Sequence, residues 1–339
     1  MCSIRLPAQS LSVTRREACR DAVAIGSLFH ASFIIALWSS GPLRGFALVS
    51  SAVWLGVGAV SVLHHGGHQH YSANSWINAA WVDLSCPGGF WVEHWGLKHR
   101  VHHRRPASYP DDLYTSASSL FRFHPAAPHR QLHQFQHVYI VPAYGFYWMI
   151  DQGSQLKFLW KGRLPFSQDS HLARRGWSYV YEKGLWAAVA GAYLLSFGPR
   201  VIGYYIAVGS LASLIAGIFV SINHISVGAR VVSNDNDWRR YVSESTINYA
   251  PSSVVVGFFT GGLNTHSVHH LYPHMDRTSM RRFHRDLSAA GSYEVVTLPT
   301  LLAGVRAHFG ALRWLGAGGR GELIGEKPVA GPERSDGAS

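Results

Sequence analysis

Two long stretches near the start of the chain contain no charged residue: 22–39 and 46–63. Each has about the length needed to span a hydrocarbon core, and the short link between them, Gly41-Pro42-Leu43-Arg44-Gly45, allows only a tight hairpin. A second pair follows at about 182–198 and 201–222, turning at Pro199-Arg200. Its first member is short and borrows Trp177 to Tyr181 at the interface, with Glu182 and Lys183 snorkelling from its end. The pattern predicts an all-α integral membrane protein, with four transmembrane helices in two hairpins and the remaining helices gathered in a cap. Three further apolar stretches, near 77–92, 138–150 and 249–263, are interrupted by Asp83, Pro87, Pro142, Pro251 or glycines. They read as interfacial or membrane-dipping pieces rather than spans. Beyond Gly316 the apolar periodicity ends. The expected organisation is an N-terminal segment 1–21, one membrane domain 22–312 and a disordered tail 313–339.

Charge sets the orientation. Of the 30 Lys and Arg, Arg44 and Arg200 alone fall in the hairpin links, so both termini and the cap are expected in the cytosol. Arg15, Arg16 and Arg20 precede the first run, and a second run follows at once, which predicts an uncleaved anchor rather than a secretory signal. Charged residues make up only 14% of the chain, well below the fraction usual in soluble domains. Three cysteines exclude a disulfide framework and cysteine-rich zinc or iron-sulfur sites. The net charge of +11 is explained by topology, and no nucleic-acid module accompanies it. Such a face suits anionic headgroups, the phosphates of acyl thioesters and an acidic electron carrier.

Histidine changes the picture most, with 21 residues in the chain. His64 and His68 stand four apart where the second run ends, on one face of a continuing helix. His99, His102 and His103 form a His-x-x-His-His pattern, and His266, His269 and His270 repeat it. Imidazole suits zinc, copper, iron and nickel. These nitrogens are too many for one tetrahedral zinc. The zinc-protease pattern is absent, since His65 stands where its glutamate would be, and no glutamate is followed by histidine three residues on. A di-metal centre held by histidines beneath the membrane remains. His129, His133 and His137 recur every fourth residue but read as a solvated helix face. His65, His70, His94 and His274 adjoin the clusters and are equally suited to orienting ligands or to plain surface positions. Trp76, Trp81, Trp91 and Trp95 read as an aromatic belt, with a tunnel lining as the alternative.

The chain resembles the integral-membrane fatty acid desaturase and hydroxylase superfamily, most closely its acyl-lipid, linoleoyl-type (front-end) branch. His64-His65-Gly66-Gly67-His68 resembles the first histidine box. Trp95-Gly96-Leu97-Lys98-His99-Arg100-Val101-His102-His103, followed by Asp111-Asp112, resembles the second. His133-Gln134-Phe135-Gln136-His137-Val138-Tyr139 is similar to a segment that precedes the interfacial stretch in that branch. Gly261-Gly262-Leu263-Asn264-Thr265-His266-Ser267-Val268-His269-His270-Leu271-Tyr272-Pro273 resembles the third box. The resemblance implies a non-haem di-iron centre on the eight box histidines, with His224 after the fourth span as a ninth ligand. It implies no catalytic side chain beyond these ligands. It also implies a reaction in which dioxygen and two electrons remove two hydrogens from an acyl chain carried as a lipid or thioester, leaving a cis double bond. Three departures stand out. Position 65 is His rather than Asp, His266 occupies a position that is usually Gln in the front-end branch, and no fused cytochrome b5 motif is found, so a separate ferredoxin or cytochrome b5 with its reductase is expected. A hydroxylase, acetylenase or carotenoid-type oxygenase on the same centre is the alternative enzyme. A histidine-rich metal transporter is the alternative from another class, although His30 is the only histidine inside an expected span.

Overall fold

A computed structural model of the chain describes residues 11–116, 119–161, 176–231, 237–290, 295–321 and 324–325. The first helix, α1 (Leu11–Trp38), begins well before the apolar run, because nothing between Leu11 and Asp21 breaks a helix. Its partner α2 (Gly41–Val60) begins earlier than expected as well. The residues assigned to the link form its first turn, where Pro42 loses nothing because the amide it lacks would be unpaired there. Only Ser39 and Ser40 remain between the helices, and Arg44 Nε donates to the Ser39 carbonyl at 2.8 Å. Helix α3 (Val62–Gly67) continues the second helix toward the first histidine cluster. Two helices follow, α4 (Ser75–Ser85) and α5 (Val92–Arg104), then the short α6 (Leu113–Ser116).

A 3-10 turn at Gln131–Phe135 leads into α7 (Gln136–Lys161), which runs unbroken through Pro142. The second pair is α8 (Gly176–Phe197) and α9 (Arg200–Ile222). Among the described residues, three segments are long and apolar enough to cross a membrane: Thr14–Trp38, Gly41–Gly67 and Arg200–Ile222. The expected third span does not join them on that measure. Its two charged residues do not snorkel into solvent as the sequence suggested. Glu182 is buried and accepts the Val92 backbone N–H at 2.6 Å. Lys183 donates to Gln152 Oε1 at 2.8 Å and to the Gly89 carbonyl. The first half of α8 is thereby tied to α5 and α7.

The chain then forms α10 (Trp238–Ser245), β1 (Ile247–Tyr249), α11 (Val254–Phe259), a 3-10 turn at Leu263–Thr265, α12 (His266–Leu271) and α13 (Arg277–Ala289). Last come β2 (Val296–Leu298) and α14 (Leu301–Gly316). The fold is mostly helical rather than wholly so, because β1 and β2 pair in parallel with Ile247 opposite Val296. The Leu298 carbonyl accepts the Ala250 N–H at 2.8 Å, extending this ladder. Helix α14 carries Arg313–Gly316 past the expected boundary of the domain. Ile324 exchanges backbone hydrogen bonds with Gly228 and Ala229, whereas 322–323 and 326–339 lie outside the described residues, as do 1–10.

One core joins α1, α2, α4, α8 and α9, and a second joins α7, α9, β1 and α14. Helices α2 and α9 approach closely at Gly56, where a Cβ would lie 2.9 Å from the Ala212 carbonyl. Small residues at such crossings let helix backbones pack where apolar burial alone gives little attraction.

Candidate metal centre

Three short helical pieces and one helix end bring the histidines together. His64 lies in α3 and His68 caps it. Helix α5 carries His99, His102 and His103, α12 carries His266, His269 and His270, and His224 follows Asn223, the residue that caps α9. The structure draws all nine of these residues into two groups. The first holds His64, His68, His99, His103 and His269, and the second His102, His224, His266 and His270. Within each group the candidate nitrogens lie within 4.8 Å of one another. Helical geometry explains the division. Residues four apart stay together, as in the pairs His99/His103 and His266/His270. The residue three along, His102 or His269, points about 100° away from its neighbour and crosses to the other group.

The distances favour metal ligation over hydrogen bonding. His99 Nε2 lies 3.1 Å from His64 Nε2 and 3.0 Å from both His68 Nε2 and His103 Nε2. His269 Nε2 is 3.0 Å from the Nε2 atoms of His64 and His103. In the second group the Nε2 separations are 2.9 Å for His224–His266, 3.2 Å for His224–His270 and 3.0 Å for His266–His270. A neutral imidazole has one N–H and one lone pair, so one nitrogen cannot satisfy three others. With metal–imidazole bonds of about 2.1 Å, separations near 3.0 Å correspond to angles near 90°, whereas a tetrahedral zinc would need roughly 3.4 Å. The residues present therefore fit a pair of five- or six-coordinate ions. Burial, reinforced by neighbouring imidazoles, holds His99, His266, His269 and His270 well below the ordinary histidine range, and His103 and His224 at about 3. They are thus neutral, the form that ligates.

Neighbouring groups fix the rings. Asp112 Oδ2 lies 2.8 Å from His102 Nδ1, and the same carboxylate accepts the N–H groups of Ala107 at 2.8 Å and Tyr114 at 2.9 Å. Burial alone would raise the Asp112 pKa, but His102 and these donors outweigh it and hold the carboxyl low. His102 Nδ1 is thereby engaged and its Nε2 is left for the centre. The Ser245 carbonyl lies 3.2 Å from His224 Nδ1. Asn248 holds α12 through Ser267, accepting the Ser267 N–H at 3.2 Å. Trp95 stacks on His99 with ring centroids 4.4 Å apart. A Cβ on Gly67 would lie 2.3 Å from the Trp95 ring, so this contact requires glycine at the end of α3.

Other sequence candidates fall elsewhere. His65 and His70 are buried and pack ring to ring, with His70 Nε2 3.1 Å from the Pro273 carbonyl. His274 lies 5.7 Å from His70 by ring centroids, and His94 packs in a three-ring cluster with Trp91 and Phe158; neither belongs to a metal group among the described residues. The solvated-face reading fails for His133, which is buried and whose Nδ1 accepts the Arg130 N–H at 3.0 Å. The aromatic-belt reading fails for Trp91, which is fully buried, and for Trp95, which packs on the ligand set. His30 bridges the Tyr193 hydroxyl of α8 and the Leu84 carbonyl of α4. Two features went unnoticed in the sequence. The buried Lys98–Asp151 ion pair beside His99 joins residues far apart in the chain, and the Ser245 carbonyl has no side-chain signature.

With this geometry in view, similarity to known proteins is informative. The family model described as fatty acid desaturase matches residues 40–299. The chain is 25% identical over 239 residues to the sn-1 linoleoyl-lipid 6-desaturase of Arthrospira platensis, covering 65% of this chain and 63% of that relative. It is 24% identical over 328 residues to the protein of the same name from Synechocystis sp., covering 87% of this chain and 89% of the relative. The chloroplastic acyl-lipid (7-3)-desaturase of Chlamydomonas reinhardtii is 25% identical over 280 residues, covering 75% of this chain and 52% of the relative.

Proposed function

The chain belongs to the fatty acid desaturase family, and from that premise we propose that it is a membrane oxidoreductase that introduces a cis double bond into the acyl chain of a lipid. The observation that carries the proposal is the convergence of nine buried or part-buried imidazoles into a group of five and a group of four. His64, His68, His99, His103 and His269 would hold one iron, and His102, His224, His266 and His270 the other. When bound, the iron pair supplies the oxidising power that an unactivated methylene requires and that no acid-base side chain can provide. The balance is one dioxygen, two electrons and two protons consumed per two hydrogens removed, giving the alkene and two waters. The protein's contribution is positional: Asp112, Ser245 and Trp95 hold ligand rings, and the buried surroundings keep the imidazoles neutral.

In this reading α8 completes a fourth span, both termini and the iron centre face the cytosol, and Arg44 and Arg200 mark the opposite side. The relatives' names point to an acyl lipid as substrate, with acyl thioesters as the other carriers. Electrons come from a separate ferredoxin or cytochrome b5 served by a reductase, a partner whose acidity matches the +11 chain. The test is expression in a host of defined lipid composition with a reductase and oxygen supplied, followed by mass-spectrometric location of double bonds. A new cis double bond is expected; an unchanged acyl profile overturns the reading, and a hydroxylated product reassigns the centre to a hydroxylase. Metal analysis of the purified chain is expected to find iron, one per histidine group, and zinc alone would contradict it.

A further inference from the structure

Away from the two histidine groups, α7 and α14 line an open groove of about 770 Å³. Its apolar lining comes from Val138, Val141 and Pro142 on α7 and Phe309 on α14. Arg306 and Arg313 flank it, both exposed and neither in an ion pair among the described residues. They stand seven residues apart on one side of α14, two helical turns or about 10 Å. His137 lies at the edge, its buried Nδ1 without a hydrogen-bond partner among the described residues.

The groove is continuous with a larger surface. At 100° per residue, Val138, Pro142, Phe146, Met149, Leu156 and Trp160 fall within about a quarter of the circumference of α7. All six are exposed, Val138 at 61% and Trp160 at 80%. An exposed apolar stripe of this length marks contact with a membrane or a partner. At its N-terminal end the stripe meets paired guanidiniums, which bind phosphate oxygens through planar, multiple hydrogen bonds.

We propose that this groove binds one anionic glycerophospholipid of the surrounding bilayer, its phosphate between Arg306 and Arg313 and its acyl chains along the α7 stripe. The site is distinct from the metal centre and goes beyond the oxidation assigned there. Charge complementarity selects this occupant. A second copy of the chain presenting the same face across a two-fold would set arginine against arginine, whereas a phosphodiester neutralises both.

Binding can be read without turnover, so its failure would be separable from failure of the desaturase assignment. The full-length chain in detergent is titrated with phosphatidylglycerol or phosphatidylcholine of identical acyl composition, and lipid adducts are counted by native mass spectrometry. Phosphatidylglycerol should be retained preferentially. R306Q/R313Q should weaken it about thirty-fold while leaving phosphatidylcholine unchanged. R306K/R313K, which keeps the charge but loses the planar hydrogen bonds, should retain only part of the preference, and R282Q, on an exposed arginine outside the groove, should be neutral. Co-elution of each variant with the parent on size exclusion ensures that folding is compared like for like. Equal retention of the two lipids, or no response to R306Q/R313Q, overturns the proposal. It is also overturned if stearoyl-CoA displaces phosphatidylglycerol at lower concentration and itself depends on the two arginines, or if the parent dimerises and R306Q/R313Q does not.

Discussion

Asp112 decides which nitrogen of His102 faces the metal. Its carboxylate engages Nδ1 and is itself held by two backbone N–H groups, so it cannot turn away without losing all three bonds. In D112N the amide can present its NH2 to a nitrogen that needs an acceptor. We expect metal affinity of the four-histidine group to fall about 10- to 100-fold, with the five-histidine group spared. Metal content after a graded chelator challenge would show half the iron leaving early; loss of both irons together would assign Asp112 a general structural role. Gly67 acts through shape alone. The Cβ of G67A would lie 2.3 Å from the edge of the Trp95 ring, so overpacking should cost roughly 1–3 kcal/mol, and G67A/W95L should recover most of it in thermal unfolding. A G67A chain as stable as the parent would mean that Trp95 has room to move. At this scale the candidate ligands were legible, because spacings of three and four place imidazoles on one helical face. Their division into five and four was not, since it depends on how α3, α5 and α12 cross.

Between helices, the least legible contact is Lys98 with Asp151. It fastens α5, which carries three candidate ligands, to α7, and Gln155 Nε2 donates to the second carboxylate oxygen at 2.8 Å. The two partners lie 53 residues apart, beyond any helical periodicity, so no local pattern announces them. Both are nearly buried, and removing one strands the other. D151A is expected to cost about 3–5 kcal/mol, while K98M/D151L, which removes both charges, should recover most of that loss. Thermal unfolding in detergent distinguishes the outcomes: equal losses in the two variants would place the importance in side-chain packing rather than in the charge pair. The apolar runs did identify α1, α2 and α9, because length and lack of charge are properties of the sequence itself. They misplaced the start of α2, since Pro42 reads as a break unless it falls in a first turn, and they mistook Glu182 for a solvent-facing residue because its partner is a backbone amide in α5.

Across the whole molecule, burying so many imidazoles has a consequence for acid stability. Burial holds His94 and His224 at about 3 and His124 and His308 at about 4, against an unfolded value near 6.5. Between those limits the unfolded chain binds a proton at each such position and the folded chain does not. Stability must therefore rise with pH across this window and fall as pH drops below about 6.5, each residue adding one proton to the slope. The metal-free chain should show a melting temperature nearly flat above pH 7 and declining steeply toward pH 5. His308 tests the cause at a residue outside the two histidine groups: its Nδ1 lies 2.6 Å from the Ile225 carbonyl and its Nε2 3.0 Å from the Tyr144 hydroxyl. H308N keeps an amide donor where Nδ1 stood and cannot titrate, so its melting curve should lose about one proton of pH dependence below 6.5. If H308N keeps the parental slope, acid lability arises from groups other than His308; a parent flat from pH 7 to 5 would mean that the folded chain takes up these protons as readily as the unfolded one. Iron should oppose the decline, because protons and metal compete for the same nitrogens. The loaded chain should hold its melting temperature to lower pH than the chelated one, then lose metal and stability together.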